Sequence, residues 1–145
     1  MKAFTAIIVF ILVICSGVTG QAADSVKFKS LLPYDFHMAY LKEDKALLID
    51  VREFFEFRKT RLKDAVNITS SGNMGFTVDT LDKECALFLY CTSGYRSKRV
   101  AVVFHDKGFR KLYSLEGGIV AWKKEGMPVV RKRLKGARVQ RHKDA

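Results

Sequence analysis

The chain of 145 residues is poor in structure breakers: it has only two prolines and no low-complexity run, which argues against long disordered stretches. It lacks an apolar run of membrane-spanning length. The longest, Ala3 to Val18, is 16 residues, short of the ~20 that cross a bilayer comfortably. It lacks metal-ligand spacing, because His37, His105 and His142 stand in no ligating pattern with each other or with the cysteines; neither a metal nor another cofactor is expected. Acidic residues are scarce, 15 against 26 Lys and Arg, for a formal net charge of +11. What is present is enough for one packed domain: an apolar fraction of 48% with 11 Phe, in a length that usually folds as a single unit.

The first residues read as a signal peptide and not as part of the fold. Lys2 precedes the uncharged "AFTAIIVFILVI", and the small and polar "CSGVTGQAAD" follows, which is a basic start, an apolar core and a small-residue cleavage region. The expected signal spans residues 1–22, with cleavage between Gly20 and Asp24. Two variants compete: an uncleaved anchor, and lipoprotein processing at Cys15, against which bulky Ile14 speaks. The expected product is exported, to the periplasm or an equivalent compartment. Two cysteines then remain, Cys85 and Cys91. If 85–91 is a strand their Cα atoms lie about 20 Å apart, far beyond the ~4.4–6.8 Å of a disulfide. An unpaired thiol in an oxidising compartment is buried or used. Cys85 is expected to be the buried, inert one, which leaves Cys91 to be explained. At the other end, "VRKRLKGARVQRHKDA" (130–145) holds seven Lys/Arg and one Asp. It reads as a solvated extension or as a contact for an anionic surface, a lipid headgroup or an acidic partner. No aromatic interleaves its charges, so nucleic acid is not an expected partner.

Between these ends, strand and helix patterns alternate. "LLPYDFHMAYLKED" (31–44) places Leu32, Phe36, Ala39 and Tyr40 on one helical face. "KALLIDVRE" (45–53) suits a strand buried on both faces. "EFFEFRKT" (53–60) reads as a short helix, "DAVNI" (64–68) as a strand, "TSSGNMGF" (69–76) as loop and "TVDTLDKE" (77–84) as a brief helix. "CALFLYC" (85–91) is a central buried strand, and "SKRVAVVFHDKGF" (97–109) a helix that Gly108 closes. "KLYSL" (111–115) is a strand, and "GIVAWKKEG" (118–126) a helix that also stops at a Gly. The alternation implies an α/β fold of βαβ units.

The chemistry concentrates in "LYCTSGYRSKRVAVV" (89–103). Ligands of open parallel sheets bind beyond the carboxyl ends of the strands, and Cys91 lies at such an end. The loop after it feeds a helix N-terminus, whose free N–H groups and dipole favour an anion and lower a cysteine pKa. Gly94 lets the loop curl so that amides point inward. Thr92, Ser93 and Ser97 add hydroxyl donors, and Arg96 a permanent cation. Tyr95 is expected on the rim, screening the thiol from bulk water. No His is near in sequence, so loop and dipole, not a Cys–His pair, are the expected activators. The bland alternative is a cysteine that merely ends a buried strand.

Taken together, "LLIDVRE" (47–53), "DAVNI" (64–68), "LYCTSGYRS" (89–97), "GFRKLYSLEGGIVAW" (108–122) and "GMPVV" (126–130) resemble, in order and spacing, a single rhodanese domain over about residues 26–130. The resemblance implies a three-layer α/β fold, a five-stranded parallel sheet with helices on both faces. It further implies that Cys91 carries sulfane sulfur, taken from thiosulfate or a similar donor and passed to cyanide, a thiol or a protein acceptor, with residues 92–97 as the substrate cradle and Arg96 on the donor's oxyanion. Two departures stand out. "TRLKDA" (60–65) replaces a Gly-His-Ile-x-Gly-Ala segment, and Thr92 occupies a position that is often basic in thiosulfate-specific members. Two rivals remain. A phosphatase or arsenate reductase of the same fold needs Cys-x5-Arg, whereas four residues separate Cys91 from Arg96. A sulfur-carrier or protein-binding module is the other; pure binding fits poorly with a retained cysteine. Asp50 and Arg52 match the family's Asp-Val-Arg segment, and Asp50 is expected to anchor loops by hydrogen bonds rather than do acid–base work. Glu116 is expected to cap, Trp122 to lie in the core, and the sequon Asn67-Ile68-Thr69 to be covered by the second strand.

Overall fold

In the computed structural model, residues 27–69 and 79–131 are described. The expected signal segment, the basic extension beyond Arg131 and most of the 69–76 loop lie outside these residues, as does the start of the brief helix at 77–84, of which Asp79 and Thr80 are helical. Five parallel strands form the main sheet: β1 (Lys29–Leu31), β2 (Ala46–Asp50), β4 (Val66–Asn67), β5 (Ala86–Tyr90) and β6 (Leu112–Leu115). Their order is β1-β6-β5-β2-β4, and every adjacent pair runs parallel. A separate two-residue antiparallel ladder joins β3 (Thr60–Arg61) to β7 (Val130–Arg131). Four helices lie wholly within the described residues: α1 (Pro33–Lys42), α2 (Phe54–Lys59), α3 (Tyr95–Asp106) and α4 (Gly118–Lys124).

The central strand β5 is buried at every position, and its pleat sorts side chains to two cores. Leu87, Leu89 and Cys91 pack with Val100, Ala101 and Phe104 of α3. Ala86, Phe88 and Tyr90 pack with Phe36 of α1 and with Ile119 and Trp122 of α4. Helices therefore cover both faces, as a sheet of parallel strands requires, and the α/β expectation holds. Trp122 is core, as read from the sequence, and its indole N–H donates to the Pro128 carbonyl at 2.9 Å. Gly108 does close α3. Its N–H donates to the His105 carbonyl at 2.9 Å and that of Phe109 to Phe104 at 3.1 Å; the two rings meet edge to face, the full pattern of a Schellman stop.

Several boundaries differ from expectation. The strand read over 64–68 is only two residues long, and β1, β3 and β7 carry no pattern that marked them as strands. The helix expected from Ser97 begins two residues earlier, at Tyr95, because Gly94 takes a left-handed conformation (φ 90°) and serves as N-cap without a side-chain acceptor. In "TRLKDA" the chain keeps the turn without a glycine: Asp64 itself is left-handed, φ 63°, a conformation that Asp tolerates better than most residues.

A buried ion pair fixes the carboxyl end of β2. The Arg52 guanidinium donates to both oxygens of Asp50, the shortest contact being 2.6 Å, and to the Thr60 carbonyl at 2.7 Å. Asn67 on β4 donates its amide to the carbonyls of Asp50 and Arg52. Asp50 thus anchors loops, as expected, and Arg52 does so with it. The Asn67 side-chain nitrogen is committed to these two acceptors.

Candidate functional site

Cys91 sits directly beyond the carboxyl end of β5 and is 1% exposed. The expectation that Cys85 is the more buried thiol is corrected: Cys85 is half-buried, and both are free. Burial, then the Asp82 charge, pushes the Cys85 thiol above its ordinary value.

The loop from Cys91 to Gly94 wraps the sulfur. The Gly94 N–H donates to Sγ at 3.1 Å, and the Ser97 hydroxyl lies 3.7 Å from Sγ. Burial is the largest influence on this thiol and pushes it up. The N–H and hydroxyl of Ser97 and the N–H groups of Ser93 and Gly94 outweigh it, so Cys91 lies below its ordinary value. These are the free amides of a helix start, used on a thiolate. The Ser97 hydroxyl is itself held, 3.1 Å from the Gly94 carbonyl and 3.0 Å from the buried hydroxyl of Ser114 on β6. Ser114 was not visible in the sequence as a site residue, because nothing local links it to the loop. Alkylation of Cys91 by iodoacetamide is expected to rise with pH through a midpoint below the ordinary thiol value of ~8.5. Ser97→Ala, which removes one stabilising donor, moves that midpoint upward; a wild-type midpoint at or above the ordinary value would contradict the geometry.

The back of the loop is held by the start of α4. The N–H of Ile119 donates to the Cys91 carbonyl at 2.9 Å and that of Val120 to the Thr92 carbonyl at 3.2 Å. With its carbonyls turned to α4, the loop turns its amides to the sulfur. The approach demands glycine. At Gly118 (φ 59°) a Cβ would lie 2.4 Å from the Cys91 carbonyl oxygen and 2.5 Å from that of Thr92. Gly118→Ala is therefore expected to cost about 1–3 kcal/mol in chemical unfolding and to raise the Cys91 midpoint. Unchanged stability and midpoint would show that the loop is not built on this contact.

The other expected site residues divide into two groups. Thr92 and Arg96 are brought together, but with a partner that sequence reasoning missed, Glu56 on α2. The Thr92 hydroxyl donates to Glu56 Oε1 at 2.9 Å and accepts from Arg96 Nη2 at 2.9 Å. Both Arg96 terminal nitrogens donate to Glu56 Oε2 at 3.2 Å. Glu56 also accepts the Glu53 N–H that caps α2. Burial pushes the Glu56 carboxyl up, but the bonds from Arg96 and Thr92 bring it below its ordinary value. Arg96 is thus an ion-paired cation and not the open one expected. Ser93 contributes through its backbone N–H; Tyr95 is 67% exposed, with Arg99 over its ring at 5.8 Å. The expected screen over the thiol is corrected, because Tyr95, as the first residue of α3, projects outward. Glu116 is occupied by the side chains of Lys98, at 2.7 Å, and Ser30; it is a structural ion pair and not the expected cap, since the N-cap of α4 is Gly117, without a side-chain cap. Among the described residues no group of His, Cys, Asp or Glu is arranged to hold a metal.

Residues 35–125 match the family model described as Rhodanese-like domain. The chain is 32% identical over 98 residues to a tRNA uridine(34) hydroxylase of Hamiltonella defensa, a match covering 61% of this chain and 28% of that protein. It is 26% identical over 133 residues to a tRNA uridine(34) hydroxylase of Erwinia tasmaniensis, covering 86% and 37%. The chain thus spans about a third of the length of these curated relatives. Among solved structures, a rhodanese-related protein from Thermoplasma volcanium aligns with a TM-score of 0.59 at 28% identity, over 71% of this chain and 98% of that one. With more than half of the chain inside the family match and the same parallel sheet beneath the cysteine loop, the protein belongs to the rhodanese-like domain family.

Proposed function

We propose that this protein is an exported sulfurtransferase that carries sulfane sulfur as a persulfide on Cys91, taken from thiosulfate or a similar donor. One observation carries the reading: a buried thiol held below its ordinary value by inward N–H groups and the Ser97 hydroxyl. Such a cradle stabilises a thiolate nucleophile and, after transfer, an anionic persulfide. With thiosulfate, the Cys91 thiolate attacks the outer sulfur and the bond to the sulfonate sulfur breaks. The electron pair leaves on sulfite, and Cys91 keeps an S–S⁻ group. Cyanide or a thiolate then attacks that outer sulfur, and the thiolate of Cys91 returns. Export rests on the signal-like segment at 1–22, and a protein acceptor is the alternative to a small one. From the named relatives, this reading takes the domain and not the hydroxylation, since the match spans about a third of their length.

The test is thiocyanate release from cyanide by the purified protein, supplied with thiosulfate or with glutathione persulfide. Turnover with at least one donor is expected. No thiocyanate from either, with Cys91 still alkylatable, would sink the proposal.

A further inference from the structure

Three cations of the loop and its flanking elements are paired with carboxylates. Arg96 is paired with Glu56, Lys98 with Glu116 and Arg52 with Asp50, while Arg99 lies over the outward-facing Tyr95 ring. Thr92, beside the nucleophile, is neutral and gives its hydroxyl hydrogen to Glu56. The printed contacts to Sγ are N–H and O–H dipoles, from Gly94 and Ser97, and the cation of the loop itself is paired. The Glu56 carboxyl, held below its ordinary value, stays ionised through the neutral range, so the cancellation of Arg96 persists there.

This arrangement separates two classes of sulfane donor. Thiosulfate brings two negative charges to a thiolate and releases the dianion sulfite; three charges gather in a mouth where the loop's guanidinium, Arg96, is shared with a carboxylate. A persulfide reacts with far less charge: R–S–SH and the Cys91 thiolate give Cys91–S–SH and R–S⁻. The bond to the outer sulfur forms, the R–S bond to it breaks, the electron pair leaves on R–S⁻ and the proton stays on the transferred sulfur. One negative charge is present on the reacting sulfur atoms throughout, and amide dipoles are adequate for one.

We propose that Glu56 is a donor-selecting residue: by holding Arg96 in an ion pair it withdraws the loop's own cation, and the site favours persulfide donors with thiolate leaving groups over sulfonate donors such as thiosulfate. This rests on the sulfurtransferase reading and narrows its donor. Glu56 acts through Arg96 and Thr92, so it is a positioning residue.

The test is the rate at which Cys91 gains sulfur, followed by intact mass, from thiosulfate and from glutathione persulfide, in wild type and Glu56→Gln. The amide keeps the shape and drops the charge. Freed of its counter-charge, Arg96 is expected to shift the ratio of the two rates toward thiosulfate by about tenfold or more. An unchanged ratio, or a shift toward the persulfide, overturns the proposal whatever the absolute rates do. Should Glu56→Gln fail to fold, the wild type gives an independent answer. Millimolar sulfate, a dianion, is expected not to slow iodoacetamide alkylation of Cys91; strong protection would show an open cation at the mouth and contradict the proposal. Absence of loading from either donor in wild type would instead count against sulfur transfer itself, while the sulfate assay still reads the charge of the mouth.

Discussion

Cys91→Ser is expected to lower thiocyanate production by at least about a thousandfold with any donor, because the step that fails is the first covalent one. A serine hydroxyl at the same site would receive the same N–H bonds, yet it remains protonated at neutral pH and makes no stable bond to sulfane sulfur. The fold should survive the change. The side chain is nearly isosteric, and its surroundings already offer polar partners: the Gly94 N–H and the hydroxyl of Ser97. The unfolding midpoint should therefore stay close to wild type while turnover disappears. Cys85→Ser is the matched control. That thiol is half-buried, raised above its ordinary value by burial and by the Asp82 charge, and set back at the far end of β5, so turnover should be retained. A Cys91→Ser variant that still turned over would place the chemistry elsewhere.

Asp50→Ala is expected to be the most destabilising single change outside the loop, at about 3–5 kcal/mol, a large part of the ~5–15 kcal/mol that usually holds a domain together. The side chains of Asp50 and Arg52 are 0% and 4% exposed. Removing the carboxylate strands a guanidinium that cannot reach water without opening the structure. The damage would spread because Arg52 also bonds the Thr60 carbonyl at the end of α2, the helix that carries Glu56. Urea unfolding measures the cost directly. A loss below about 1 kcal/mol would mean that Arg52 finds solvent easily and that the pair is not a structural anchor. Replacing both residues by apolar ones of similar volume should recover part of the loss, since a buried pair is often no more stable than its hydrophobic isostere.

Much of this architecture was legible in the sequence, for identifiable reasons. The run 85–91 is apolar throughout because β5 is covered on both faces, and its alternation between the two cores leaves no polar positions. Gly108 stops α3 through a local pattern spanning six residues, so local reading finds it. Cys91, Gly94 and Ser97 lie within seven residues, and their meeting depends only on a tight loop entering a helix. The failures share a different origin. β1 is three residues long and mostly exposed, and β3 meets β7 across about seventy residues of chain; neither carries an apolar period. The first turn of α3 was misjudged because a left-handed glycine caps it in place of a hydroxyl or carboxylate side chain. Glu56 and Arg96 are forty residues apart, so the pairing that neutralises the loop cation left no local trace. Ser114 and Gly118 likewise reach the site through packing, although the double glycine before α4 was a signal that a backbone approaches closely there.

The central claim, that Cys91 is the sulfur carrier, is tested most directly by the intact mass of the purified protein after incubation with a sulfane donor, beside Cys91→Ser. The account predicts a gain of one sulfur atom, about 32 Da, that cyanide removes and that the serine variant never acquires. A gain of equal size in Cys91→Ser, or no gain from thiosulfate or glutathione persulfide in a folded protein with a reactive Cys91, would contradict it.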